Sequence, residues 1–360
     1  MSCDVLITGT GMFAGRIALD IASTAKTPVN VVIAGRNRMR LNWLKTAGNA
    51  RAAMFSTPAR FSTVEVDMVA EGASDHLLEQ CNPRIVVQAA SIQTSTVISD
   101  KGNRWTQLVA EGGLSATAVF QSLISSRMAA AISRRKNPPV LINCSFPDVV
   151  NGIIKAMGHE VLCGTGNVAI LSNVFDGAYD RTDAGRLRVI AHYQCLSAWR
   201  KPPEDRAGAI PPLVYSGDRR LDNVFETFKH CQLTPEPAIE ISGASGVTLI
   251  LALAAGTSWH GHAPGPDGLP GGYPVRLEDH QLVLDLPISL SREQAVEWNA
   301  RFEQANGLII EDQSVRYRGK LKSLLEEEKF QYADGFDAKD IERVCTDMVS
   351  LRDRLMKEAV

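Results

Sequence analysis

The sequence predicts an α/β protein: a doubly wound parallel sheet followed by a second, α+β domain. Three features carry this. Val5 to Thr8 is an apolar run that ends in Gly9-Thr10-Gly11-Met12-Phe13-Ala14-Gly15. A helix-like stretch from Arg16 to Ala25 leads to a second apolar run, Val29 to Ala34, which ends in Gly35-Arg36-Asn37-Arg38. Further short apolar runs then alternate with helix-like segments as far as Cys163. A strand, a glycine turn, a helix and a parallel strand form the opening unit of a dinucleotide-binding sheet, and continued alternation extends it.

The remaining elements follow in order. Leu41 to Ala47 reads as a short helix, Ser62 to Val66 as a third strand, Ala73 to Gln80 as a helix and Arg84 to Gln88 as a fourth strand. A polar loop, Ile92 to Arg104, precedes one long helix from Trp105 to about Ser133, which Pro138-Pro139 ends. Val140 to Cys144 is a fifth strand, Asp148 to Met157 a helix, and Val161 to Cys163 a sixth strand. Beyond Asn167 the pattern changes. Leu187 to Cys195 and Ala238 to Ile241 read as strands, Val247 to Ala255 as a helix, and Val275 to Leu277 with Gln281 to Pro287 as a hairpin. Arg292 to Asn306 is a helix capped by Ser291. The division expected is residues 1–166, 167–314 and 315–360. The last is an amphipathic helical extension of mixed charge that packs on the body or on a second subunit.

Composition narrows the function. The 360 residues suit about two domains, and 45% hydrophobic with 22% charged residues describes a globular chain with ample core. A net charge of −2 gives no field that gathers nucleic acid or an anionic membrane. No apolar stretch is long enough to span a bilayer and no signal-peptide pattern opens the chain, so a cytoplasmic location is expected. The seven cysteines are scattered without a CxxC pair, which argues against a disulfide framework or a structural zinc site.

The glycine turn supplies the chemistry. Gly9 allows the tight bend, Gly11 lets the backbone approach a pyrophosphate, and Ala14 or Gly15 brings the helix close to the sheet. The helix N-terminus then faces the phosphates. At the tip of the second strand, where an acidic residue ordinarily bonds the ribose 2′-hydroxyl, the sequence has Gly35, Arg36, Asn37 and Arg38. Guanidinium groups in place of a carboxylate suit a 2′-phosphate, so the cofactor expected is NADP(H). Its binding residues are Gly9 to Ala14, Gly35 to Arg38, Asp67 beside the adenine, and Ala89, Ala90 and Ser91 beneath the cofactor.

The order of elements resembles the lactate and malate dehydrogenase family over roughly residues 4 to 309. Four stretches carry the resemblance: Gly9 to Gly15; Ser99-Asp100-Lys101-Gly102-Asn103-Arg104-Trp105; Asn143-Cys144-Ser145-Phe146-Pro147-Asp148; and Gly268-Leu269-Pro270-Gly271-Gly272-Tyr273 through Leu290. The resemblance implies that Arg104 polarises the substrate carbonyl and that His192 passes a proton to the developing alkoxide. It also implies that Ser245 faces the substrate and that two chains pair through helices as a homodimer. His260 and His262, beside Trp259, are further candidates to contact a ligand. Where the family has an aspartate that orients the histidine and an arginine that grips a carboxylate, this sequence has Ile170 and Asn173. Tyr193 and Gln194 replace the family's glycine and acidic residue after the histidine.

These departures point away from 2-oxo acids. The function expected is NADPH-dependent transfer of hydride to a C=O or C=N bond of a small molecule, the latter as in opine and saccharopine dehydrogenases. Two alternatives stand beside it. One is a sensor that binds NADP(H) without turnover. The other is an enzyme like the NAD-dependent glycosidases, which share the fold and use a metal with a cysteine and a histidine, here Cys163 and His192.

Overall fold

The computed structural model describes residues 3–93, 102–179, 186–233 and 238–359. Five strands, β1 (Cys3–Thr8), β2 (Val29–Gly35), β3 (Ala59–Glu65), β4 (Pro83–Gln88) and β5 (Val140–Asn143), pair in parallel in the order β3-β2-β1-β4-β5. Ile7 of β1 lies against Ile33 on one side and Val87 on the other. The chain winds outward through α1 (Met12–Thr24) and α2 (Arg38–Met54), then crosses back through α3 (Ala73–Cys81) to β4. Winding therefore reverses between β1 and β4, and the crevice above that point is where open parallel sheets receive ligands. Both faces of the sheet are covered, which is why Val5–Ile7, Val31–Ala34 and Ile85–Val87 at its centre are continuous apolar runs.

The helix expected from Trp105 to Ser133 is two helices. Gly112 and Gly113, the latter at φ 89°, divide α4 (Arg104–Gly112) from a 3₁₀ turn and α5 (Ala118–Ser133). The expected sixth strand is reduced to one parallel bridge between Ile142 and Cys163.

The second half opens with α6 (Pro147–Ala156), α7 (Val168–Ala178), β6 (Leu187–Ile190), the single turn α8 (Leu196–Trp199), β7 (Leu213–Ser216), β8 (Arg219–Arg220) and the single turn α9 (Val224–Thr227). It continues with α10 (Ile239–Ser245), α11 (Val247–Ala255), β9 (Trp259–Pro264), β10 (Gly272–Glu278), β11 (Gln281–Leu284) and α12 (Arg292–Ala305). The stretch read as a strand at Ala238 to Ile241 is thus the start of a helix. Ile239 and Ile241 favour a strand locally, but Gly243 packs α10 onto α1, where a methyl group would lie 2.6 Å from Cγ of Arg16, and that packing decides.

Three small antiparallel sheets, β6-β7-β8, β11-β10-β9 and β12-β13-β14, complete the body. The last comprises β12 (Gly307–Glu311), β13 (Ser314–Arg318) and β14 (Phe336–Asp337), with α13 (Gly319–Glu327) and α14 (Ile341–Leu355) beside it. A boundary at residue 314 therefore cuts a hairpin, and residues 315–359 contribute strands as well as helices. Leu321, Leu325, Val344 and Met348 join Trp105 and Phe120 in one core, so the extension packs on α4 and α5 of its own chain. No helix among the described residues is long and apolar enough to cross a membrane.

Candidate functional site

A cleft of about 570 Å³ opens above the C-terminal ends of β1, β2 and β4. Its floor is built from the glycine turn. Gly9 has φ 103° and its Cα lies so close to the loop after β4 that a Cβ would stand 3.0 Å from the Ala89 carbonyl oxygen. At Gly11 a Cβ would meet no atom within 4 Å, so the backbone there faces open space. No side chain caps the N-terminus of α1, which leaves its first N–H groups to an incoming ligand. Arg40 braces this turn from α2, its Nε donating to the Thr10 carbonyl at 3.2 Å.

A chain of buried amides fixes the loops on the far side. Gln88 meets Thr8 in β1 and donates to the Ala90 carbonyl at 2.7 Å and to Ser125 Oγ at 3.2 Å. Ser125 donates to Asn143, and Asn143 donates to the Ser145 carbonyl and to Asn151. Buried polar groups bonded in this way hold one arrangement, here the loops carrying Ala89 to Ser91 and Cys144 to Ser145. The Cys144 thiol, which accepts from Thr165, is pushed up to about 12 by burial.

Of the residues expected to hold the cofactor, Gly9, Thr10, Gly11, Met12, Phe13, Gly35, Arg36, Asp67, Ala89, Ala90 and Ser91 line this cleft. Arg36 is exposed at the tip of β2 and makes no ion pair with any described residue. Three others do something else. Ala14 faces the core of α1; Asn37 caps α2 by accepting the Arg40 N–H; and Arg38, in the first turn of α2, is exposed away from the cleft lining.

The expected catalytic pair is not assembled here. Arg104 begins α4, where its guanidinium pairs with Glu328 and with Glu358 at 3.1 Å and its N–H donates to the Glu358 carbonyl. The C-terminal segment thus takes the side chain that the resemblance assigned to substrate. Ser99, Asp100 and Lys101 lie outside the described residues. His192 is 0% exposed and is not part of the cleft lining. Its Nδ1 faces the Gln194 N–H at 3.4 Å, so in the neutral ring Nε2 bears the proton, and Nε2 stands 3.2 Å from Oε1 of Glu303. The ring is stacked on Phe302.

The surroundings of His192 are a buried polar cluster that the sequence did not reveal. Glu303 Oε2 accepts from Ser115 Oγ at 2.8 Å and from the Leu308 N–H at 2.6 Å. Ser115 Oγ is also 3.1 Å from the Tyr193 hydroxyl, whose pKa is raised well above its usual value by burial and by Glu303. Asp148, at the start of α6, accepts from the Tyr193 N–H at 2.9 Å and from the Asn167 amide. Burial raises its carboxyl above the usual range, against the pull of His192 and of these two bonds. Phe146 and Asn167, on either side, have φ of 48° and 45°, backbone conformations that tend to accompany functional sites.

The three other second-domain candidates are committed elsewhere. Ser245 Oγ accepts the Gly166 N–H and donates to the Ser242 carbonyl, joining two backbone segments. His262 Nε2 accepts the Val189 N–H at 2.9 Å, and burial pushes the ring down to about 3. His260 and His262 line a separate cavity of about 330 Å³ with Arg186, Arg188 and Asp285. Ile170 is buried in an apolar cluster and Asn173 bonds back to the Ala169 carbonyl, so neither supplies a substrate clamp. Cys163 is buried with its thiol pushed up, and among the described residues no three His, Cys, Asp or Glu side chains gather as a metal site.

The chain as a whole matches solved structures. The fold is that of the lactate and malate dehydrogenases. A lactate dehydrogenase from Cryptosporidium parvum, solved with lactic acid and nicotinamide adenine dinucleotide, has 14% identity and a TM-score of 0.53, over 83% of this chain and 95% of that one. A malate dehydrogenase from Picrophilus torridus in its apo form has 9% identity and a TM-score of 0.55, over 83% and 94%. A lactate dehydrogenase from Eimeria maxima with NADH and oxamate has 11% identity and a TM-score of 0.51, over 84% and 92%. No protein-family model and no curated protein matches the sequence. On this fold the glycine turn after β1 lines an open cleft, while Arg104 pairs with Glu328 and Glu358 and His192 lies beside Glu303.

Proposed function

We propose that this chain is an NADP(H)-dependent oxidoreductase that transfers hydride to a C=O or C=N bond of a small molecule other than a standard 2-oxo acid. One observation carries the reading: Arg36 stands at the tip of β2, in the cleft lining and free of any carboxylate partner among the described residues. A 2′-phosphate is the group that such a guanidinium selects. The turn at Gly11 would hold the pyrophosphate, Asp67 the adenine and the Ala89 to Ser91 loop the nicotinamide side. When bound, the cofactor supplies hydride. Gln93, Gln121 and Ser145 border the same cleft and are the polar groups placed to orient an acceptor. The nicotinamide dinucleotides in neighbouring folds support a cofactor of that class, and Ile170 and Asn173, near the places where the resemblance has an aspartate and a carboxylate-gripping arginine, support a substrate other than a 2-oxo acid.

The position of His192 favours a second reading. A sealed imidazole and an Arg104 engaged by glutamates suit a protein that binds NADP(H) and does not turn it over. One experiment separates the two. The chain is titrated with NADPH and NADH by nicotinamide fluorescence, then NADPH-loaded protein is mixed with a panel of ketones, aldehydes and imines. Tighter binding of NADPH by about 10- to 100-fold, as one charge-assisted contact supplies, together with oxidation by a panel member, supports the oxidoreductase. Binding without oxidation by any compound transfers the assignment to the sensor, and equal affinity for both cofactors overturns the NADP(H) assignment.

A further inference from the structure

Three polar side chains border the cleft beyond the glycine turn, and what each has left to offer is an oxygen lone pair. Gln93 is 7% exposed, and its Oε1 is buried with no donor reaching it among the described residues. Its backbone is held on both sides by Ser91, whose hydroxyl donates to the Gln93 carbonyl at 2.7 Å and accepts the Gln93 N–H at 3.1 Å. Ser145 is 6% exposed and gives its hydroxyl proton to the Ala90 carbonyl at 3.3 Å, so its lone pairs remain. Thr117 Oγ1 donates to the Leu114 carbonyl at 2.8 Å and can then take only a donor, which Gln121 supplies from Nε2 at 3.1 Å. That bond fixes the Gln121 amide and leaves Oε1 as its acceptor. A buried acceptor without a donor marks a place where a ligand completes the bonding.

These oxygens bear on which double bond is reduced. Hydride transfer to a ketone leaves negative charge on oxygen and calls for donors aimed at it. The two donors that the resemblance assigned to that task are engaged elsewhere, Arg104 by Glu328 and Glu358 and His192 beside Glu303. Acceptor oxygens would repel the developing charge. A protonated imine reverses the requirement, because its nitrogen is positive before the reaction and its N–H is a charge-assisted donor.

Resting on the oxidoreductase reading above, we propose that the group reduced in this cleft is a protonated imine whose N–H is bonded by Gln93 Oε1, with Ser145 Oγ and Gln121 Oε1 as further acceptors of the same site. The step balances without a proton from the protein. Hydride carries two electrons from NADPH to the imine carbon and forms the new C–H bond. The C=N π pair moves onto nitrogen as a lone pair and cancels its charge, so the products are a neutral amine that keeps its N–H and NADP⁺.

The test compares three ring compounds of one shape: a methylpyrroline, protonated in buffer; its N-methylated pyrrolinium, charged but without N–H; and methylcyclopentanone, which is neutral. Each is mixed with the NADPH-loaded full chain and followed by nicotinamide fluorescence. The protonated pyrroline should oxidise NADPH with kcat/KM about tenfold above the N-methyl cation and about 100-fold above the ketone. Gln93→Met keeps the length of the side chain and removes the acceptor. It should lower kcat/KM for the pyrroline by about 10- to 100-fold, erase its advantage over the N-methyl cation and leave NADPH affinity unchanged. Methylpyrrolidine, protonated in solution, presents the same N–H without reacting, and calorimetry should show it binding the NADPH-loaded wild type about tenfold more tightly than Gln93→Met. Bound NADPH that the pyrroline does not oxidise overturns the proposal. So does a ketone reduced as fast as the pyrroline, which leaves the oxidoreductase reading standing, and so does a Gln93→Met chain that reduces pyrroline and binds the amine like wild type. Failure of NADPH to bind at all removes the oxidoreductase reading itself.

Discussion

Nε2 of His192 lies 3.2 Å from Oε1 of Glu303, and solvent reaches neither atom. The two are close without being aligned as a hydrogen bond, while the other oxygen of Glu303 is fully engaged by Ser115 and Leu308. Removing one partner of such a pair costs more than the pair itself contributes.

Glu303→Ala should therefore destabilise the chain by about 3–5 kcal/mol, because the Leu308 N–H and the Ser115 hydroxyl lose their acceptor and a void is left. Glu303→Gln keeps an acceptor oxygen and should cost about 1–2 kcal/mol. Urea unfolding of both variants reads the difference. Equal and small losses would show that the cluster does not hold the second domain together.

Asp148 makes the cluster sensitive to pH. Its folded carboxyl titrates above the unfolded value of about 3.9, so the folded state keeps the proton through that window and stability falls as pH rises across it. In Asp148→Asn the contribution is absent, and the Asn167 amide can turn to offer its oxygen. The stability of the variant relative to wild type should grow as pH rises above the unfolded value of about 3.9. A difference that stays constant with pH in urea titrations would refute the assignment.

His262 acts in the opposite sense. Its folded value of about 3 is below the unfolded value of about 6.5, so the unfolded chain takes up the proton first and stability is lost as pH falls through that interval. His262→Asn keeps an acceptor for the Val189 N–H and should flatten the acid side of the stability profile. An unchanged slope in thermal melts below about pH 6 would count against it.

Gly11→Ala separates binding from folding. With φ −68° and no atom within 4 Å of the added methyl, the variant should melt within about 0.5 kcal/mol of wild type. Its methyl group occupies the approach to the pyrophosphate, so affinity for NADPH should fall by at least about tenfold. Retained affinity in the fluorescence titration would place the dinucleotide elsewhere.

Arg36→Asp tests the phosphate contact by itself. It should weaken NADPH binding by about 100-fold and NADH binding far less, as removal and reversal of one charge-assisted contact requires. Equal losses for the two cofactors would mean that Arg36 does not meet the 2′-phosphate.

The first unit of the sheet was legible because its signals are local: an apolar run, a glycine turn and a helix, with Arg36 at a fixed offset. The rest depended on contacts between distant segments. Gly48 looks like a helix stop, yet α2 runs on to Met54 because that glycine is where Phe61 packs. Gly112 and Gly113 sit inside a helical pattern whose interruption only the positive φ of Gly113 makes visible. His192 and Arg104 were picked out by their place in a family pattern, and each is held by glutamates, Glu303, Glu328 and Glu358, that no local spacing connects to them. Ser115 and Asp148 join the cluster from separate segments for the same reason.

The tie between Arg104 and the C-terminal segment bears on how the chain is made. Asn103 pairs with Ala359, and Arg104 meets Glu358, a partner synthesised 254 residues later. On the ribosome the first turn of α4 must wait for 254 further residues before Arg104 meets Glu358. Ordering of the start of α4 therefore follows synthesis of β12 to α14, and a product interrupted before Glu358 keeps that edge unfinished.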